Sequence, residues 1–175
     1  MRHLGRLIAL ALCALAVSSA RAEVVFDGTL GEAGPALPGV VGTTAVDYRI
    51  GAERGLLRGS NLFFSFSDFS IEAGRVGAID GPIEVENVLA RVTGGVPSHI
   101  DGVRGSAISG ANVWLVNPSG VVFGPGARLV LRGGLHVSTA DYLRFEDGSI
   151  FHATSPDAGP LSSAAPEAWG FLSAR

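Results

Sequence analysis

No lysine occurs anywhere in this chain, and its one cysteine, Cys13, lies close to the start. Arginine is therefore the only strong cation, with 13 copies spread along the sequence against 16 acidic residues. Nucleic-acid binding draws much of its affinity from clustered basic residues that displace counter-ions, and no such cluster exists. No nucleic-acid partner is expected. A lone cysteine excludes an intramolecular disulfide, and if it is lost with a leader no thiolate chemistry remains either. Also missing from the body of the chain is an uninterrupted 3.6-residue apolar period over about 10 residues or more, which excludes a helical repeat. The Leu and Asn offsets of a leucine-rich repeat are absent, as are a G-x-S-x-G elbow and a G-G-x-G-x-D calcium repeat.

One long apolar run is present, at the very beginning. Arg2 and Arg6 precede the run Leu7 to Val17, and Ala20-Arg21-Ala22 places small residues around a cleavage point. Residues 1–22 read as a secretory signal peptide handled by the Sec translocase, too short to span a membrane. Cys13 sits inside the apolar run behind the bulky Leu12, which argues against a lipid anchor. No second apolar run of spanning length follows, so a soluble exported domain over residues 23–175 is expected. Removing Arg2, Arg6 and Arg21 from the 13 leaves 10 arginines against 16 acidic residues, a net charge of −6.

What the chain has in quantity is short β-type runs separated by turn residues. Between Asn112 and Asp141 there are four: Val113–Val116, Val121–Phe123, Leu129–Leu131 and Leu135–Val137. In the first break, Asn117-Pro118-Ser119-Gly120, proline presets φ at the second turn position while Asn and Gly suit its ends. Gly124-Pro125-Gly126 and Gly133-Gly134 supply the other corners. Strands this short and close cannot be linked by crossover helices. Upstream, Ile79-Asp80-Gly81 recurs as Ile100-Asp101-Gly102, an echo of 21 residues. It divides the body into Asn61–Gly81, Pro82–Gly102, Val103–Gly124 and Pro125–Gly148. Coils of about 20 residues that stack and share a core describe a parallel β-helix; an antiparallel sandwich of hairpins is the alternative. Before the coils, Val24-Val25-Phe26, Tyr48-Arg49-Ile50 and Gly55-Leu56-Leu57 read as short strands around a Gly/Pro-rich loop or cap from Gly31 to Gly42. After them, a Pro-rich loop leads to an apolar end at Trp169 to Leu172, with no polar capping segment. The expectation is that the chain is the front of a longer one, or that Trp169 and Phe171 fold back as a lid.

Several stretches also resemble one family. Gly59-Ser60-Asn61-Leu62-Phe63-Phe64-Ser65-Phe66 is similar to the G-x-N-L-F-H-S-F stretch of the filamentous-haemagglutinin-type two-partner secretion domain. Asp80-Gly81-Pro82, Arg91-Val92-Thr93-Gly94-Gly95, Ile100-Asp101-Gly102 and the whole of Asn112 to Asp141 continue the resemblance. It covers essentially all of residues 23–175. The resemblance implies an all-β fold, a right-handed parallel β-helix with some extra antiparallel strands. It further implies a non-enzymatic, cofactor-free module that is recognised by the periplasmic polypeptide-transport-associated domains of an outer-membrane barrel transporter. Such a module starts a β-helical adhesin or toxin at the surface of, or outside, a Gram-negative-type cell, and a monomer is expected. The chain departs from the family pattern at Ser119, where Asn is usual, and at Phe64, where His is usual. It also lacks an Asn-Pro-Asn-Leu motif and a long passenger.

Two segments stand out as candidate partner-binding motifs: Asn61, Leu62 and Phe63, and Asn117, Pro118, Ser119 and Gly120. The physical reading of the second is first a turn that shapes the coil, because the Asn side chain can bond its own downstream backbone. For the first, alternation along a strand sends Phe64 and Phe66 to one face and Phe63 to the other, one into the core and one against a neighbouring element. His99 near Asp101 and His136 near Ser138 suggest a nucleophile triad only superficially, since Asp101-Gly102 is better explained as a turn. Asp80, Asp101 and Asp147 each precede Gly and would bind calcium only if stacked. Two rival functions remain open, a surface adhesin binding glycan or host protein and a β-helix polysaccharide lyase, the latter disfavoured by the missing lysines.

Overall fold

The computed structural model describes residues 23–154 and 159–172; the expected leader at 1–22 lies outside the described residues. The first third of the chain forms β1 (Val24–Phe26), β2 (Gly34–Pro35), β3 (Gly39–Val41), β4 (Thr44–Val46), β5 (Tyr48–Gly51) and β6 (Leu56–Arg58), with a 3-10 turn at Ala52–Arg54. The coils comprise β7 (Asn61–Phe69), β8 (Val76–Asp80), β9 (Asn87–Val92), β10 (Ser98–Ile100), β11 (Val103–Ser106), β12 (Asn112–Val116), β13 (Val121–Phe123), β14 (Arg128–Val130) and β15 (Leu135–Ser138). Then come β16 (Tyr142–Phe145), β17 (Ile150–His152) and β18 (Pro166–Gly170). The four apolar runs read between Asn112 and Asp141 are thus β12 to β15, within one residue at each end.

The chain is an all-β solenoid of about four turns. Its first face is the parallel ladder β7-β9-β12-β15 and its second the parallel ladder β5-β8-β11-β14, while β10 and β13 pair in parallel at the corner between them. One end is closed by antiparallel partners, β1 and β6 lying against β7. The Gly/Pro-rich stretch before Tyr48 holds β2 and the hairpin β3–β4 rather than an unstructured loop.

The fold class matches the expectation, but the 21-residue echo is not the coil repeat. Ile79 pairs with Ser106 and with Ile50 on the second face, whereas Ile100 pairs with Phe123 at the corner. True register on the first face aligns Asn61 with Asn87 and Asn112, which are 26 and 25 residues apart. The corner loops 81–86 and 107–111 differ in length, so equivalent positions do not recur at one fixed interval. Register in a sheet is set by pairing and by which face is buried, not by sequence distance.

Alternation along the first face fills two cores at once. Leu62, Phe64 and Phe66 of β7, Val88, Ala90 and Val92 of β9, and Val113 and Leu115 of β12 point into the solenoid. Phe63 and Leu89 point outward and are still fully buried, beneath Leu143, Phe145 and Phe151 of the antiparallel flank β16–β18. Each such side chain contributes roughly 1.5–3 kcal/mol on leaving water. Trp169 packs on this flank with its ring 5.6 Å from Trp114. It does not lie over the open end of the coil, and Phe171 stays largely exposed.

Candidate functional site

Asn117 is completely buried at the end of β12, and its side chain organises the corner that follows. Oδ1 accepts the Ser119 backbone N–H at 2.9 Å, and the Gly120 N–H closes the turn on the Asn117 carbonyl at 3.0 Å. Nδ2 reaches the preceding coil, donating to the Val96 carbonyl at 3.0 Å and to Ser98 Oγ at 3.0 Å. One amide therefore shapes its own turn and ties it to the rung below. Gly120 adopts φ of +117°, which favours glycine at this position. Of the four residues, only Ser119, at the tip, is exposed.

Asn61, Leu62 and Phe63 have no exposed surface in the folded domain. Asn61 opens a column of asparagines on the outer side of the first face. Its Nδ2 donates to the Ser162 and Ala164 carbonyls at 3.1 and 2.6 Å. Its Oδ1 accepts from Asn87 Nδ2 at 3.0 Å, and Asn87 Oδ1 accepts from Trp114 Nε1 at 3.2 Å. Asn112, next in register, accepts the Gly134 N–H at 2.8 Å. The two motif segments are not brought together. They lie at opposite ends of the first face, about 16 Å apart along the strand direction at 3.3 Å per residue.

Sequence reasoning did not single out Arg91 and Asp27. Arg91 is almost fully buried on the outward side of β9. Its Nε donates to Ser65 Oγ at 2.8 Å, one terminal nitrogen to the His152 carbonyl at 2.9 Å, and the other to Thr29 Oγ1 at 3.0 Å. Both hydroxyls pass a hydrogen bond on to Asp27, from Ser65 at 2.6 Å and from Thr29 at 2.8 Å. Thr93 Oγ1 donates to Asp27 Oδ2 at 2.7 Å. The network joins the N-terminal cap, the first face and the flank.

Burial by itself would raise the Asp27 pKa. Hydrogen bonds from Ser65, the Thr29 backbone and Thr93, with a smaller one from the Thr29 hydroxyl, outweigh it and hold the carboxyl below its ordinary 3.8. A carboxyl depressed in the folded state stabilises above its unfolded pKa and loses that contribution as pH falls through the folded value. The urea midpoint should therefore be level from pH 7 to about 5 and fall below about 4. Asp27→Asn should shrink that acid drop. An unchanged acid slope in the variant would remove Asp27 from the account, leaving Asp47, Glu53 and Asp147, which are depressed by their own hydrogen bonds.

The remaining polar candidates are occupied elsewhere. Asp101 Oδ1 accepts the Gly126 N–H at 2.6 Å, as a corner residue should. Asp80 pairs with Arg49 at 2.9 Å, and Asp147 accepts from Ser149 and Ser162. These three carboxylates form no shared column. His136 stacks flat on Trp114 at 3.8 Å, and Ser138 Oγ accepts the Ala140 N–H.

The surface feature that does stand open is the last rung. In the described residues, β13 pairs only with β10, β14 only with β11 and β15 only with β12, so each presents a free backbone edge. Val122, Phe123, Leu129 and Val130, all on these edge strands, are 44–62% exposed. Free edges lined with apolar side chains are templates for adding a strand. Among the described residues no helix is long and apolar enough to cross a membrane.

Compared with known proteins, residues 22–166 match the family model described as the TPS secretion domain. No curated protein and no solved structure matches the chain.

Proposed function

The chain belongs to the TPS secretion domain family, a transport-related, non-catalytic family of two-partner secretion substrates, and from that premise we propose how its partner transporter uses it. The periplasmic polypeptide-transport-associated domains of an outer-membrane barrel bind the chain before the solenoid has closed. Once outside, the domain templates a β-helical adhesin at the cell surface. The family match supports the transporter's part in this reading, and the observation that carries the templating step is the open last rung, whose three free edges and apolar rim suit addition of the next coil through main-chain hydrogen bonds. Leader removal by the Sec pathway precedes it.

The two motif segments take different parts in this scheme. Asn61, Leu62 and Phe63 are interior in the folded domain, so a receptor reads them only in the unfolded chain. Asn117 to Gly120 acts chiefly by shaping a corner, with Ser119 its accessible tip. Deleting the partner barrel should leave the protein in the periplasm. Undiminished appearance outside the cell in its absence would sink the scheme.

A further inference from the structure

The two arginines buried among the described residues, Arg91 and Arg104, are treated in opposite ways. Arg91 is hydrogen-bonded along its whole guanidinium, as described above. Arg104 on β11 is equally buried, at 2% exposure, but its Nε and one terminal nitrogen have no hydrogen-bond partner. Its guanidinium carbon lies 5.2 Å from the centroid of the Phe69 ring. No ion pair to it exists among the described residues. Alternation explains how it came to be inside. Val103 and Gly105 line an apolar groove on the outer surface of the second face, so Arg104 between them points into the solenoid, where it meets Phe69 of the interior core. Burial without a counter-charge lowers the Arg104 pKa to about 10.

A buried cation without a counter-charge opposes folding, because its hydration is lost and the contact with the Phe69 ring replaces only part of it. The ladder register says when that loss occurs. Arg104 aligns with Gly77 on one side and with Leu129 on the other. Leu129 belongs to β14, the strand that ends the last complete rung, and is still 46% exposed at the open end. Until β14 docks, water reaches Arg104 from that side; when it docks, the guanidinium is stripped. We infer that Arg104 is a built-in brake on closure of the last complete rung, keeping the domain open during its passage to the transporter. The export half of this inference rests on the function proposed above; the folding half does not.

The test begins with the purified full chain. In urea-jump refolding followed by Trp114 and Trp169 fluorescence, Arg104→Met should speed the slowest phase at least about fivefold and raise the unfolding midpoint. Arg104→Leu should do the same, and decides the matter if the methionine variant fails to fold. Arg91→Met, which removes a paired guanidinium, should lower the midpoint. Slower or unchanged refolding in both Arg104 variants, or a lower midpoint, would overturn the brake.

In cells carrying the barrel, Arg104→Met should be exported severalfold less than the parent, with a protease-resistant form accumulating in the periplasm. Export at the parental level despite faster refolding would overturn the brake's role in secretion. Barrel-independent export of the parent would instead overturn the function proposed above, with the refolding result still deciding the brake.

Discussion

Arg91→Met should lower the stability of the folded domain by about 3–5 kcal/mol, the usual cost of removing one member of a buried charged network. Methionine replaces much of the apolar stem, so lost volume is not the main term. Three acceptors from distant parts of the chain, Ser65 Oγ, the His152 carbonyl and Thr29 Oγ1, lose their donor together. The stacking of the guanidinium over Phe151, at 4.8 Å, goes as well. Asp27 then keeps its hydroxyl donors but loses the cation that those hydroxyls linked to it. The damage should spread from the first face to both the N-terminal cap and the flank, because Arg91 is bonded to each. Urea unfolding followed by tryptophan fluorescence measures the loss, and proteolysis should show earlier cleavage between Gly148 and Ala153 in the variant. A loss under about 1 kcal/mol would mean that water satisfies these groups and that the network is not a clasp.

Much of the fold was readable from local chemistry, and the network just described was not. Strands β12 to β15 are visible in the sequence because each is a short Val/Leu run bounded by residues with turn-specific backbone preferences. The split of Phe63 from Phe64 and Phe66 follows from strand alternation alone, and the structure places them in two separate cores. Coil register is not legible in the Ile-Asp-Gly triplets, which resemble one another while occupying different positions in the coil. A better signal was present in Asn61, Asn87 and Asn112, each opening an alternating apolar run at nearly equal spacing. The Arg91–Asp27 network offers no comparable pattern. It depends on a cap and a flank, far apart in sequence, that meet only when β7 and β9 are paired. The inward turn of Arg104 was hidden for a related reason, since its face is decided by the pairing of β11 with β8 and β14.

The corner after β12 separates a structural role from a recognition role by a choice of substitution. Asn117→Ala should cost about 2–4 kcal/mol, since the Val96 carbonyl, Ser98 Oγ and the Ser119 N–H each lose a partner in a site where Asn117 has no exposure. Export should fall in step with that loss, because a corner that no longer ties two rungs together weakens whatever the transporter depends on. Gly120→Ala should act in the same direction through its positive φ. Ser119→Ala is the discriminating change. Its side chain is exposed at the tip, and its bond to Asn117 is made by the backbone N–H, which alanine keeps. Stability should therefore stay within about 0.5 kcal/mol of the parent. If the corner matters only by shaping the coil, Ser119→Ala leaves export intact while Asn117→Ala lowers it together with the unfolding midpoint. A loss of export in Ser119→Ala at parental stability would show instead that the transporter touches the tip itself.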